Sequence, residues 1–293
     1  MSPRAVTLAP VAALAFVAAA AAPAPPARPQ VPTFSSRVDA VRVDVLVTED
    51  GKPVRGLQAG DFEILDNGVR QSVDLVSAEQ LPLNVVFTFD LSRSVMGERL
   101  DNLREASHAV LRGLATRDRA ALVAFSTAVA VGPGLTHDTS LVKSAIDRAE
   151  PTGETSLVDA SFAGIMVAES DAGRSLVIVF SDGLDTSSWL GPRSVLDIAR
   201  RSDAVVYAVA AGLAPRADFL RDLTEQTGGR LFKLESTRSL SEVFLEVLDE
   251  FRQRYLVSFS PGGVSPEGWH TLTVRVKGRN AVVRARPGYL AGQ

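Results

Sequence analysis

Apolar positions in the first and last parts of the chain alternate with polar ones. In residues 37–80 the alternation is clear at Val41, Val43 and Val45, and it predicts half-buried β-strands. There we predict a strand over 62–65 and one return strand over 69–76, joined at Asn67-Gly68, a dipeptide typical of hairpin turns. In residues 254–293 we predict strands over 255–259, 271–276 and 281–285, separated by Pro and Gly turns. Both flanks are therefore predicted to be all-β.

The middle of the chain, residues 81–253, has a different pattern. Runs of apolar, β-branched and aromatic residues such as Val85–Phe89 and Leu176–Phe180 predict buried strands, and the segments between them carry apolar residues at helical spacing. Strands that alternate with helices indicate a doubly wound, mostly parallel α/β sheet with helices on both faces.

Neither β flank contains enough strands to close a sandwich alone. We therefore predict that residues 37–80 and residues 254–293 pair into one small β-sandwich, and that the α/β domain of residues 81–253 is inserted into it. This arrangement requires the two ends of the inserted domain to lie close together.

The first residues have the composition of an export signal. Arg4 is followed by an apolar, Ala-rich stretch that ends in small residues, and we expect residues 1–22 to be a signal peptide. An uncleaved membrane anchor is the alternative. Residues 23–36, rich in Pro and Ala, are expected to form an extended linker. The predicted location is secreted or periplasmic, with no integral membrane span after cleavage.

Composition narrows the partner classes. The chain has 293 residues, of which 46% are hydrophobic, and a formal net charge of −3. This charge gives no electrostatic case for binding nucleic acid or an anionic membrane. The chain contains no Cys, so its fold must be held by its core rather than by disulfides.

Candidate chemistry follows the first buried strand of the α/β domain. Asp90, Ser92 and Ser94 stand at alternating positions after it, where open α/β sheets bind ligands. Carboxylate and hydroxyl oxygens suit Mg²⁺, Mn²⁺ or Ca²⁺. The alternative is an ordinary turn, because Asp and Ser are common in turns and helix caps.

Two later residues extend the candidate site. Asp182 follows the apolar strand that ends at Phe180, and Thr155 lies in a Gly-containing loop before a helix. Both side chains are expected at the same sheet edge as Asp90. The alternatives are that Thr155 caps the helix and Asp182 caps a turn.

These residues resemble the metal-ion-dependent adhesion site of the von Willebrand factor A domain family. That site has an Asp-x-Ser-x-Ser motif, a distal Thr and a distal Asp, and the resemblance covers about residues 83–252. Through residues 43–51, 61–68 and 286–289, the flanks also resemble bacterial secreted proteins that contain a related domain. Arg93 and Glu154 depart from the usual residues of the motif loops. The matching positions are Asp90, Ser92, Ser94, Thr155 and Asp182.

The resemblance implies a binding module rather than an enzyme. In the family, a divalent cation, most often Mg²⁺, keeps an open position that a Glu or Asp of a partner protein fills. The alternative is a structural cell-envelope assembly protein in which the ion only stabilises the loops. The common phosphate-binding, nucleophile-elbow and zinc-protease motifs are absent from the sequence.

The remaining polar and aromatic residues near these motifs are predicted to have structural roles. His108 falls in a helix, whereas His137 and His270 are expected in or beside loops; none has a second ligand at zinc-binding spacing. Asp185 is expected to cap a helix or turn, and a place in the outer shell of the metal is the alternative. Trp189 and Leu190 are expected to pack near the rim of the site, and contact with a partner protein is the alternative.

Overall fold

The computed structural model describes residues 40–77, 81–181, 184–212 and 217–292. The predicted signal peptide of residues 1–22, the predicted linker of residues 23–36 and the candidate ligand Asp182 lie outside these ranges. Within them, no helix is both long and apolar enough to cross a membrane.

The secondary-structure elements follow the order that the apolar pattern predicts. In chain order they are β1 (Val41–Glu49), β2 (Lys52–Pro53), β3 (Phe62–Asp66), β4 (Val69–Gln71), β5 (Val73–Ser77), β6 (Leu83–Asp90), α1 (Glu98–Gly113), β7 (Arg119–Phe125), β8 (Val129–Val131), α2 (Thr139–Asp147), α3 (Leu157–Ala168), β9 (Arg174–Ser181), α4 (Pro192–Ala199), β10 (Val205–Ala211), α5 (Asp218–Gln226), β11 (Leu231–Leu234), α6 (Leu240–Arg252), β12 (Tyr255–Phe259), β13 (Gly268–Val276), β14 (Val282–Arg284) and β15 (Gly288–Ala291).

The central sheet has the strand order β11-β10-β9-β6-β7-β8. All its pairings are parallel except that of β8 with β7. Strands β6 and β9 are buried at every position, because helices cover both faces of a parallel sheet. One face packs on α1 and α6 through Leu103 and Phe244, and the other packs on α3 and α5 through Ile165 and Leu220. The predicted doubly wound α/β domain is thereby confirmed.

The two flanks form two antiparallel sheets. One has the order β14-β1-β12-β5, with β2 beside β1, and the other has the order β15-β13-β3-β4. Each sheet therefore combines strands from both ends of the chain. Val43 and Ile64 of the first flank share one apolar core with Val257 and Tyr289 of the second. The predicted sandwich with an inserted α/β domain is confirmed as the fold class, while the domain boundaries given above stay predictions.

Two details of the flanks differ from the sequence prediction. The single strand predicted over 69–76 is divided, since β4 pairs with β3 in one sheet and β5 pairs with β12 in the other. The chain therefore passes between the two layers at Ser72, a choice that depends on distant partner strands. The prediction also missed β15, which pairs with β13.

Arginine side chains connect the sandwich to the α/β domain. Arg174, at the start of β9, donates through Nε to Oδ1 of Asp44 on β1 at 3.0 Å. Arg254 follows α6 and is fully buried. It donates to the hydroxyl of Tyr207 on one side of the junction, at 2.9 Å, and to the carbonyl of Asp44 on the other, at 3.1 Å. These contacts fix the position of the sandwich against the sheet.

A buried polar cluster lies inside the sandwich. The ring Nδ1 of His270 lies 2.7 Å from Oδ1 of Asp66, and the hydroxyl of Tyr289 donates to Oδ2 of Asp66 at 2.7 Å. All three residues are buried. The expectation that His270 lies in or beside a loop is therefore wrong, because it lies within β13, where it pairs with Tyr289 of β15.

Two tyrosines give a prediction for alkaline pH. Burial, followed by the hydrogen bond to Asp66, raises the pKa of Tyr289, and burial raises the pKa of Tyr207. An unfolded tyrosine ionises near pH ~10. Above that pH the unfolded chain releases protons that the folded chain keeps, so the free energy of unfolding should fall as pH rises. Below it, these two groups should leave stability unchanged.

Denaturant titrations below and above pH ~10, combined with tyrosinate absorbance, check the predicted fall in the free energy of unfolding. We expect the ionisation of these two tyrosines to coincide with unfolding, and the stability slope to flatten in a Tyr207→Phe, Tyr289→Phe double variant. Ionisation of both residues in the folded protein near pH ~10, without loss of stability, would contradict it.

Candidate functional site

The candidate site lies at the carboxyl-terminal edge of the central sheet. Strand β6 lies between β7 and β9, with Phe89 opposite Phe180 and Asp90 opposite Phe125. Asp90 ends β6, and Ser181 ends β9 one residue before Asp182. The expectation that these two strand ends are neighbours is confirmed. Asp182 itself is outside the described residues.

Asp90 is a fully buried carboxylate in a fixed orientation. Its Oδ1 accepts a hydrogen bond from the backbone N–H of Ser92 at 2.8 Å, and its Oδ2 accepts one from the Ser181 hydroxyl at 2.7 Å. One oxygen is therefore positioned by the loop that follows β6, and the other by the last residue of the adjacent strand β9. The sequence analysis gave Ser181 no role, although a hydroxyl directly before Asp182 was visible.

The two serines of the motif present their hydroxyls side by side. A short 3₁₀ turn, Arg93–Val95, follows Ser92. It brings the Ser92 and Ser94 hydroxyl oxygens to 3.0 Å from each other. Ser92 is buried, whereas Ser94 and the departing residue Arg93 are exposed. The pair of hydroxyls thus lies at the boundary between the sheet and solvent.

Thr155 is held by its backbone. Its N–H donates to the Thr186 hydroxyl at 3.0 Å, and its carbonyl accepts from the N–H groups of Thr186 and Ser187 at 2.8 and 3.1 Å. Among the described residues, these bonds all use main-chain atoms of Thr155, so they do not fix the orientation of its hydroxyl. Thr155 is also buried.

Hydrogen bonds join the loop of Thr155 to the loop of Asp90. The N–H of Thr152 donates to the carbonyl of Leu91 at 2.7 Å, and the N–H of Arg93 donates to the carbonyl of Gly153 at 3.4 Å. Gly153 has a φ of 72°, and a Cβ there would collide with the hydroxyl of Thr127. Both features favour Gly at this position. The structure therefore brings the Asp90-Ser92-Ser94 motif and the Thr155 loop together.

Asp185 acts as a helix cap, as predicted. Its Oδ1 accepts from the N–H of Val158, in the first turn of α3, at 3.2 Å and from the Ser188 hydroxyl at 2.5 Å. Trp189, by contrast, is 95% exposed, so the prediction that it packs against the rim is wrong. The loop is held to α3 through hydrogen bonds of its backbone, while the Trp189 side chain remains exposed to solvent.

The donor set fits a divalent cation. Mg²⁺ takes oxygen ligands at about 2.0–2.1 Å in octahedral geometry, which places neighbouring ligands about 3 Å apart. The separation of the Ser92 and Ser94 hydroxyls, 3.0 Å, matches that ligand spacing. Within the described ranges there is no group of three or more His, Cys, Asp or Glu side chains suited to a metal. Metal binding at this edge would therefore rely on hydroxyl oxygens as much as on carboxylates.

A large cavity lies elsewhere. It has a volume of about 670 Å³ and is lined by Leu83, Asp118 and Arg174, which lie at or just before the amino ends of central strands, together with residues of the sandwich. It is thus at the opposite sheet edge from Asp90. It does not coincide with the candidate site.

Comparisons with known proteins agree with the geometry. The von Willebrand factor type A domain matches residues 84–246, more than half of the chain. Inter-alpha-trypsin inhibitor heavy chain H4 is 24% identical in Homo sapiens and 22% identical in Bos taurus, over 70% and 72% of this chain. These matches span only 24% and 25% of the two relatives.

Solved structures show the same fold. A von Willebrand factor type A protein from Catenulispora acidiphila is similar with a TM-score of 0.54 and 14% identity, over 78% of this chain and 72% of that one. Proximal thread matrix protein 1 from the mussel byssus, with a zinc-occupied adhesion-site motif, has a TM-score of 0.54 and 18% identity, over 64% and 49% of the two chains. With its doubly wound sheet and the match over residues 84–246, the chain belongs to the von Willebrand factor type A domain family.

Proposed function

We propose that this chain is a divalent-cation-dependent protein-binding module that captures an acidic residue of a partner protein. The proposed ligands are Asp90, Ser92, Ser94, Thr155 and Asp182. The observation that carries the proposal is the pair of serine hydroxyls, 3.0 Å apart beside a buried carboxylate at the sheet edge. Oxygen ligands of this kind favour Mg²⁺, with Mn²⁺ or Ca²⁺ as substitutes.

In this proposal the residues of the site have different roles. Asp90 is positioned by Ser92 and Ser181 and supplies negative charge. Ser92, Ser94 and Thr155 supply neutral oxygens, so a bound cation would keep positive charge available to attract a partner carboxylate. The mussel byssus neighbour, whose adhesion-site motif holds zinc, supports the use of a divalent cation. Binding, rather than catalysis, is the proposed activity.

The place of action is part of the proposal. The Ala-rich residues 1–22 and the Pro-rich residues 23–36 have the composition of an export signal and a linker, and we infer that the chain acts outside the cytoplasm. Intact-mass analysis of the exported protein tests this inference. We expect a mature chain that starts near Ala22 or Pro23, and retention of Met1 would contradict it.

Partner capture provides the test of function. The purified chain, immobilised and exposed to a crosslinked extract of the native envelope, should retain specific proteins in Mg²⁺ and release them in chelator. Asp90→Asn should lose this capture, because it removes charge while keeping the shape of the side chain. Asp138→Asn is a matched control, since Asp138 is an exposed carboxylate that caps α2. Retention of the same proteins in chelator, or by Asp90→Asn, would contradict the proposed function.

Thr155→Ala should separate capture from cation binding. It removes one neutral oxygen but leaves both proposed carboxylates, so cation affinity should fall only modestly. Capture should fall at least about tenfold, the equivalent of about 1.4 kcal/mol, because the substitution changes the oxygens around the proposed cation where the partner carboxylate would bind. The fraction of partner protein that Thr155→Ala retains is compared with the Mg²⁺ affinity of the same variant. This comparison measures the loss of capture separately from the loss of cation binding. Equal losses in both would contradict the role assigned to Thr155.

A further inference from the structure

Trp189 is presented to solvent by a firmly anchored loop. The N–H groups of Trp189 and Leu190 donate to the two carboxylate oxygens of Asp159, at 2.9 and 2.8 Å. The Ser188 hydroxyl accepts from the N–H groups of Val158 and Asp159, each at 3.1 Å. The backbone around Trp189 is therefore fixed on α3, and the 95% exposure of the indole is a property of the folded loop.

A groove of about 470 Å³ lies beside this indole. It is lined by Trp189 and Leu190, by Val129 at the start of β8, and by Phe162 and Ala163 of α3. Its volume is in the range of ordinary ligand pockets. A large aromatic residue beside such a groove has the character of an interface hot spot.

The charge and position of the groove indicate which kind of side chain it binds. Among its described lining residues, Asp159 is the one ionised side chain, and both of its oxygens accept backbone hydrogen bonds. An apolar side chain therefore suits the groove better than a charged one. Ser156 also lines the groove and directly follows Thr155, so the groove lies next to the loop that carries one of the proposed cation ligands.

We propose that this groove binds an aromatic or aliphatic side chain of the same partner segment whose carboxylate reaches the cation site. Recognition of the partner's carboxylate rests on the proposed function, whereas recognition of the partner's apolar residue rests on Trp189. An extended segment advances by about 3.3–3.6 Å per residue, so the two recognised residues should be a few positions apart. The partner is thus a segment with one acidic and one apolar residue at a constant spacing.

Selection from a phage-displayed library of random peptides in Mg²⁺ tests the inference. Wild type should enrich peptides with an acidic residue and an aromatic or aliphatic residue at constant spacing. Trp189→Ser should keep the acidic preference and lose the apolar one. A synthetic peptide of the enriched sequence should bind Trp189→Ser at least about tenfold more weakly. Leu141→Ser is the control, because Leu141 is a half-exposed apolar residue on α2 outside the groove, and its affinity should not change.

The outcomes separate this inference from the proposed function. Loss of the acidic preference in Asp90→Asn supports the cation site, whereas an acidic preference that survives in Asp90→Asn or in chelator contradicts the proposed function alone. The inference is overturned if wild type enriches no peptide or shows no apolar preference, or if Trp189→Ser retains that preference. It is also overturned if Trp189→Ser converts a wild-type dimer into a monomer in sedimentation, because the groove would then bind a second copy of this chain.

Discussion

Replacing Arg254 with Ala is expected to lower the free energy of unfolding by roughly 3–5 kcal/mol, because it leaves several buried acceptors without a donor and removes a large buried side chain. The Arg254 side chain is fully buried. It donates to the Tyr207 hydroxyl and to the carbonyl of Gly228 within the α/β domain, at 2.9 and 2.7 Å. It also donates to the carbonyls of Asp44 and Arg284 in the sandwich, at 3.1 and 3.3 Å.

The size of the effect comes from the groups that lose their donor. A buried acceptor without a hydrogen bond costs about 1–3 kcal/mol, and Arg254→Ala removes one side chain that serves acceptors in both parts of the protein. Arg254→Lys should recover only part of the loss, because an ammonium group cannot reproduce the planar guanidinium fork. The melting temperature of Arg254→Ala should fall by about 10 °C or more in a chain of this size.

A second arginine at the same junction provides the control. Arg42 is largely exposed and lies 3.7 Å from Asp203, and exposed ion pairs contribute about 0–1 kcal/mol. Arg42→Ala should therefore melt close to wild type. Equal melting temperatures for Arg254→Ala and Arg42→Ala would contradict the idea that buried arginine contacts hold the sandwich against the α/β domain.

Divalent cations are expected to stabilise the wild-type fold, and Asp90→Asn should remove that response. At a concentration one hundred times the dissociation constant, a cation that binds only the folded state adds about 3 kcal/mol. That increment should raise the melting temperature by about 5–10 °C. Asp90→Asn keeps an oxygen that can accept from the N–H of Ser92, so it should fold and melt without a cation response.

Melting curves at increasing Mg²⁺ and Mn²⁺ measure this response. Asp138→Asn should respond as wild type does, because its carboxylate caps α2 instead of facing the site. Wild type that shows no shift at millimolar cation, or Asp90→Asn that shifts equally, would return the five residues to turn and capping roles.

Much of the fold could be predicted from the local pattern of apolar and polar residues. The apolar runs identified β6 and β9, the helical spacing identified helices between the central strands, and the motif order placed Asp90 and the Thr155 loop at one sheet edge. Each of these features depends on neighbours in the sequence or on the regular geometry of parallel sheets. Fold class and the region of the site therefore followed from the sequence.

The features that were missed depend on distant partners. His270 meets Asp66 across 204 residues, and Arg254 contacts Asp44 across 210. The sequence around each of these two residues looks like that around an ordinary surface residue. Hydrophobic periodicity and composition therefore gave no indication of these contacts. The division of the strand predicted over 69–76 and the exposure of Trp189 likewise depend on how separate segments pack.

Anomalous diffraction from crystals soaked in Mn²⁺ tests the central claim most directly, because it locates the ion and its ligands together. The account predicts a peak at the carboxyl-terminal edge of the central sheet, with the hydroxyls of Ser92 and Ser94 among the ligands and Asp90 and Thr155 beside it. The peak should be absent in Asp90→Asn crystals. No peak at that edge in the wild type, or a peak whose ligands exclude both serines, would contradict a cation-dependent adhesion site in this protein.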